Sequence, residues 1–125
     1  MNLILYILIA LVVILYVRRT LRIRSIRQYR PTEVEELLRA RSAVVLLDVR
    51  TASERRGRAI GGSLHIPLQS LRGRLGELEK YKGKEIVCYC QSGNRSASAA
   101  LLLRKRGHTV ANLRGGIAEW NFAHR

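Results

Sequence analysis

Residues 85–106 read EIVCYCQSGNRSASAALLLRKR. The first six, Glu85–Cys90, are apolar almost throughout rather than alternating. That pattern predicts a strand covered on both faces, as in a parallel sheet. Ser96–Arg106 is rich in alanine and leucine, ends in basic residues that suit a helix C-terminus, and is stopped at Gly107. A buried strand therefore passes through a short polar turn into a helix.

The same alternation extends in both directions. Upstream, TEVEELL opens a helix, with Thr32 and Glu35 placed for a capping box and three glutamates in the first turn. Ala43–Val49 (AVVLLDV) is a second continuous apolar run of strand length. TASERRG reads as a turn or short helix, and IGGSLHIPL as a loop with a short extended piece that stops at Pro67. Leucines 71, 75 and 78 give Ser70–Lys80 a helical spacing, and Lys82–Lys84 makes a turn. Downstream, Thr109–Leu113 is a third strand, and GGIAEW is a glycine turn entering a final helix. Strands alternating with helices predict an α/β fold with a central, mainly parallel sheet. In such sheets reactive groups gather at the C-terminal ends of strands, where Asp48 and Cys90 fall.

The N-terminus has a different character. Met1–Val17 contains no charged side chain, and Arg18-Arg19 ends the run. As a helix it spans about 25 Å, near the lower limit for crossing a bilayer core. A signal peptide has basic residues before its apolar run and small residues at its end, and neither is present here. Residues 1–19 are expected to be a transmembrane anchor and 20–30 an arginine-rich juxtamembrane linker, either solvated or a helix extending the span. A single domain over 31–125 follows. Residues 18–30 carry six arginines and no acid. Basic residues beside a single span stay inside, so the domain is expected to face the cytoplasm. Attraction to anionic headgroups adds to this.

The formal net charge is +14, and the arginine stretch supplies six of it. The remainder comes with no zinc-finger spacing, recognition-helix pattern or run of stacking aromatics, so no nucleic-acid partner is expected. The two cysteines, Cys88 and Cys90, are too close in sequence to form a disulfide framework. As near neighbours in one strand they also make a poor redox pair. Nor do they make a zinc site with the scattered histidines, and no cofactor is expected.

The turn CQSGNRS has chemistry of its own. Backbone N–H groups at a helix N-terminus point inward and cradle negative charge. Cys90 opens that turn, and charge there favours the thiolate. Gly93 permits backbone conformations closed to other residues. Ser92 and Ser96 supply hydroxyl donors, and Arg95 either adds positive charge or ties the loop to an acid. Cys90 is the candidate nucleophile, and Gln91, Ser92, Gly93, Asn94, Arg95 and Ser96 form the candidate loop and anion cradle. Cys88, inside the strand, reads as a small buried apolar residue.

Four pieces in order, LLDVR (46–50), RAIGGSLHIPL (58–68), IVCYCQSGNRSASAALLL (86–103) and LRGGIAEW (113–120), resemble the rhodanese family of sulfurtransferases. The resemblance covers roughly residues 31–125. It implies a three-layer α/β domain in which the cysteine at Cys90 accepts a sulfane sulfur as a persulfide. It also implies that Asp48 and Arg50 organise the loop. Trp120 is expected to pack against the domain. The chain departs from the family at Arg58, where histidine is frequent, and at Ser63 and His65, where alanine and asparagine are common. His65 is not needed as a base, because the loop already makes the thiolate.

Four residues separate Cys90 from Arg95, the spacing that resembles sulfurtransferases. Phosphatases of the same fold have five, which widens the cradle for a tetrahedral phosphate. The loop also holds no acid to protonate a leaving alkoxide. The expected activity is sulfur transfer from an anionic donor such as thiosulfate to a thiol, cyanide or protein-cysteine acceptor. Arg95, with arginines 55, 56 and 58, is placed to draw anionic donors in, and 55–58 reads equally as a solvated charged turn. The alternative is a membrane-tethered sulfur carrier or binding module, fed by a protein partner and hardly active on free thiosulfate.

Overall fold

The computed structural model describes residues 2–124. Five parallel strands form one sheet in the order β1-β5-β4-β2-β3: β1 Arg27–Tyr29, β2 Val44–Asp48, β3 Leu64–His65, β4 Glu85–Tyr89 and β5 Thr109–Leu113. The expected parallel α/β architecture is what the chain adopts. The continuous apolar runs of β2 and β4 follow from burial on both faces.

Side-chain alternation divides those faces. Leu47, Val49, Ile86, Cys88, Cys90 and Val110 point one way, into a core closed by α4 (Asn94–Lys105) and a run of 3₁₀ turns, Leu68–Tyr81. Leu46, Val87, Tyr89, Ala111 and Leu113 point the other way, against Val34 of α2 (Pro31–Arg39) and Ile117 of α5 (Gly116–Ala123). Trp120 packs beside that second core and stacks on His124. The domain is a three-layer sandwich with β4 at its centre.

Three local expectations are corrected. The cap of α2 is Arg30, whose backbone N–H donates to Glu33; Thr32 and Glu35 form no box, and Glu33 is the acid of the first turn. Pro31 sets this, because its fixed φ suits the first helical position and starts the helix before Thr32. The segment 70–80 is not one regular helix, since Leu68–Tyr81 consists of 3₁₀ turns broken at Arg74. Gly73 and Gly76 weaken a continuous helix there.

The third concerns residues 20–30, where the helix extends the span and a strand follows, so the stretch is structured rather than a solvated linker. Arginine is a good helix former, so α1 runs from Leu3 through Arg24. Ile26 then buries itself in the first core, and Arg27–Tyr29 joins the sheet as an edge strand beside β5. Tyr29 anchors it, with its hydroxyl donating to Glu85 at 2.6 Å. The sheet therefore begins before residue 31.

Helix α1 is long and apolar enough to cross a membrane, with a mean hydropathy of 2.2 over its apolar window and no buried residue. Its C-terminal end is fixed to the domain. Arg19 donates to the Ser98 hydroxyl at 2.7 Å, and Arg104 donates to that of Ser25 at 2.9 Å.

Candidate active site

Cys90 follows the central strand on the face covered by α4, so its sulfur lies under the first turn of that helix. It is 1% exposed. Sγ accepts from the Gly93 N–H at 3.1 Å, the Ser96 hydroxyl at 3.3 Å and the Ser96 N–H at 3.5 Å. Burial works to raise the thiol pKa, but hydrogen bonds from Ser96, Gly93 and Ser92 outweigh it and hold Cys90 below its ordinary value. Among the described residues Cys88 has no such donors. Burial, with Cys90 nearby, pushes its pKa up to about 12. One strand thus carries two cysteines of opposite character.

The loop is shaped from behind. Gly93 has φ +103°, which disfavours any side chain. Its carbonyl accepts from Asn112 Nδ2 at 3.0 Å, while Asn112 Oδ1 accepts from the Ser96 hydroxyl at 2.6 Å. Two N–H groups at the start of α5 close the other side, Ile117 donating to the Cys90 carbonyl at 2.9 Å and Ala118 to that of Gln91 at 3.2 Å. A Cβ at Gly116 would collide with those same backbone groups.

Arg95 is paired with an acid. Its guanidinium makes two 2.7 Å hydrogen bonds to the Glu54 carboxylate, which holds Glu54 down to about pKa 2. Glu54 in turn accepts from Thr51, the cap of α3 (Ala52–Gly57).

Asp48 and Arg50 organise that neighbouring segment. Both are buried, and Arg50 grips Asp48 through Nε at 3.0 Å and Nη2 at 2.9 Å. Arg50 also donates to the carbonyls of Glu54 at 3.3 Å and Arg58 at 2.6 Å. Burial would raise the Asp48 pKa, but the Arg50 hydrogen bonds bring it below its ordinary value. Arg55 is committed here too, to Asp48 at 3.1 Å and Ser63 at 3.0 Å, rather than free to draw in anions. His65 donates through Nε2 to the Arg50 carbonyl at 2.7 Å, and Ser63 shares a hydrogen bond with the Tyr89 hydroxyl at 2.8 Å. Their departures from the common pattern support this segment.

The structure brings Gly93, Ser96 and the Ser92 backbone to the sulfur and leaves the side chains of Gln91, Ser92 and Asn94 exposed at the rim. Asp48 and Arg50 lie one step removed, connected to the loop through Glu54 and Arg95. Glu54, Asn112 and Gly116 escaped the sequence reading. The signal for Glu54 was its position three residues after Thr51, and for Asn112 a lone amide in an apolar strand.

A parallel sheet ending in a cysteine whose sulfur is ringed by amide and hydroxyl donors defines a thiolate-stabilising α/β domain. The chain belongs to the rhodanese-like domain family, whose model matches residues 30–123. It is similar to a sulfurtransferase of Allochromatium vinosum, at 38% identity over 78 residues, covering 62% of this chain and 71% of that protein. A thiosulfate sulfurtransferase of Pseudomonas aeruginosa superposes with a TM-score of 0.71 at 30% identity, over 82% of this chain and 20% of that one. A Rhodopseudomonas palustris protein of unknown function, described as a possible tyrosine phosphatase, superposes at 0.74 with 28% identity, over 85% and 87%.

Proposed function

We propose that this chain is a membrane-anchored sulfurtransferase that carries sulfane sulfur as a Cys90 persulfide. The observation that carries this is the set of donors on Cys90 Sγ, which favours a thiolate without a separate base. The thiolate attacks the outer sulfur of a donor such as thiosulfate. The S–S bond breaks, sulfite leaves with the bonding electron pair, and the persulfide remains. A thiol, cyanide or protein-cysteine acceptor then attacks the terminal sulfur, and the Cys90 thiolate returns. The Ser92 and Gly93 amides and Ser96 meet the sulfur that carries charge, Gln91 and Asn94 form the rim over it, and Arg95, Asp48 and Arg50 hold the loop in place.

Sulfur is favoured over phosphorus by the loop. Four residues separate Cys90 from Arg95, Arg95 is paired with Glu54, and no acid lies between them to protonate a leaving oxygen. The test is a comparison of thiosulfate-to-cyanide transfer with aryl phosphate hydrolysis on the same sample. Thiocyanate formation that is lost in Cys90→Ala, with no phosphate release, supports the reading. Phosphate release without thiocyanate overturns it.

A second reading is a partner-fed sulfur carrier. It is favoured by the near-complete burial of Cys90, which suits delivery by a protein that opens the rim.

The anchor reading rests on α1. Its apolar run is followed by Arg18 and Arg19 rather than by the small residues of a cleavage site, and no basic residue precedes it. With six arginines following the span, the domain faces the cytoplasm.

A further inference from the structure

A groove of 330 Å³ lies between the C-terminal half of α1 and the exposed face of α4. Its basic lining is Arg18, Arg19 and Arg22 from α1, Arg72 from the 3₁₀ run, and Lys105 and Arg106 at the end of α4. No acid lines it, and among the described residues none of the six forms an ion pair. Arg19 donates to Ser98 at 2.7 Å, which fixes one wall against the other. Cations drawn this close repel one another unless an anion sits among them.

Helical spacing makes the convergence systematic. Positions 15, 18, 19 and 22 share one face of α1, and 98, 101, 102 and 105 share one face of α4. The groove is also amphipathic, because Leu15, Leu101 and Leu102 complete its lining. Leu15 belongs to the uncharged apolar run, while Arg22 lies about 10 Å further along the helix axis. A ligand here meets positive charge at one end and hydrocarbon at the other.

We infer that this groove binds the phosphodiester headgroup of an anionic phospholipid. A free phosphate matches the cations but makes no use of the leucines or of the position at the end of an apolar helix. The inference rests on the anchor reading of α1. It goes beyond general attraction of an arginine-rich segment to a charged surface. Half of the cations come from the folded domain, so an occupied groove fixes the domain against the bilayer. It does so through α4, whose first turn also holds the Cys90 sulfur.

The experiment has two arms, both on the full chain. Alkaline carbonate extraction of membranes tests the anchor: retention supports it, and release overturns the anchor and the lipid site together. With the chain retained, native mass spectrometry from zwitterionic detergent then compares phosphatidylglycerol with phosphatidylcholine. One phosphatidylglycerol per chain is expected, bound about tenfold or more in preference. A triple variant, Arg72→Gln, Lys105→Gln and Arg106→Gln, is expected to lose roughly that preference. All three positions are exposed, and retained thermal unfolding confirms the fold. A control removing equal charge elsewhere, Arg41→Gln, Lys80→Gln and Lys84→Gln, keeps it within about twofold.

Equal losses in both triple variants would mean diffuse charge and overturn the site, as would equal binding of the two lipids. Displacement of the lipid by sn-glycerol 3-phosphate at equal concentration would reassign the groove to a soluble phosphate and overturn the lipid assignment. A retained membrane chain with no preference leaves the anchor standing while sinking the headgroup site.

Discussion

The two Nη atoms of Arg95 lie 2.7 Å from the two carboxylate oxygens of Glu54, joining the first turn of α4 to α3 across 41 residues of chain. This bidentate pair is the link through which the buried Asp48–Arg50 pair reaches the Cys90 loop. Glu54→Gln is expected to lower sulfur transfer by about ten- to a hundredfold, because a loop displaced by ~1 Å loses that much. Stability should fall only slightly, since a part-exposed pair is worth ~1 kcal/mol or less. Steady-state kinetics and thermal unfolding, run side by side, separate the two effects.

The pair also has a pH signature. Glu54 is held at about 2, below its ordinary 4.5, so its stabilising contribution is complete above about 4.5 and is lost as pH falls towards 2. Wild type and Glu54→Gln should therefore converge in unfolding temperature across that window. A gap that widens on acidification would contradict the assignment.

Cys90 should alkylate with a pH midpoint below the ordinary thiol value of 9.0, because its thiolate is stabilised by hydrogen bonds. Ser96→Ala removes the hydroxyl donor to Sγ and should move the midpoint up. Asn112→Ala should move it down, because Asn112 Oδ1 at 2.6 Å competes with Sγ at 3.3 Å for the single proton of the Ser96 hydroxyl. Iodoacetamide rates read against pH on a Cys88→Ala background provide the measurement.

Cys88→Ala should leave sulfur transfer within about twofold while costing ~1–2 kcal/mol of stability, the penalty of a small core cavity. Cys88 is fully buried beneath α4, and its thiol is pushed up to about 12. Denaturant unfolding checks the stability, and loss of transfer comparable to that in Cys90→Ala would show that the two cysteines act together.

Asp48→Asn should cost more than any exposed change, about 3–5 kcal/mol, because it leaves Arg50 charged and without its ion-pair partner in the interior. Denaturant unfolding reads this directly. A loss below about 1 kcal/mol would mean that the buried pair is not what holds the 51–58 segment.

Much of this fold was legible because burial writes itself into composition. The continuous apolar runs at 43–49 and 85–90 have the length and branched side chains of strands covered twice, and helices between them follow from parallel pairing. The loop at Cys90 was legible because its donors are local: Gly93 and Ser96 lie within six residues of the sulfur. Glu54 and Asn112 were not, since each meets the loop only through tertiary contact, and sequence spacing carries no trace of that distance. Arg27–Tyr29 was hidden by its charge. An edge strand needs only backbone partners and one part-buried ring, so Arg27 on its open side is no obstacle.

The most direct test is the intact mass of the full chain after exposure to thiosulfate, beside Cys90→Ala and Cys88→Ala. The account predicts the gain of one cyanide-removable sulfur in wild type and Cys88→Ala, and none in Cys90→Ala. A folded, reduced wild-type protein that gains no sulfur would contradict transfer from thiosulfate, and a gain that survives Cys90→Ala would contradict the assignment of the persulfide.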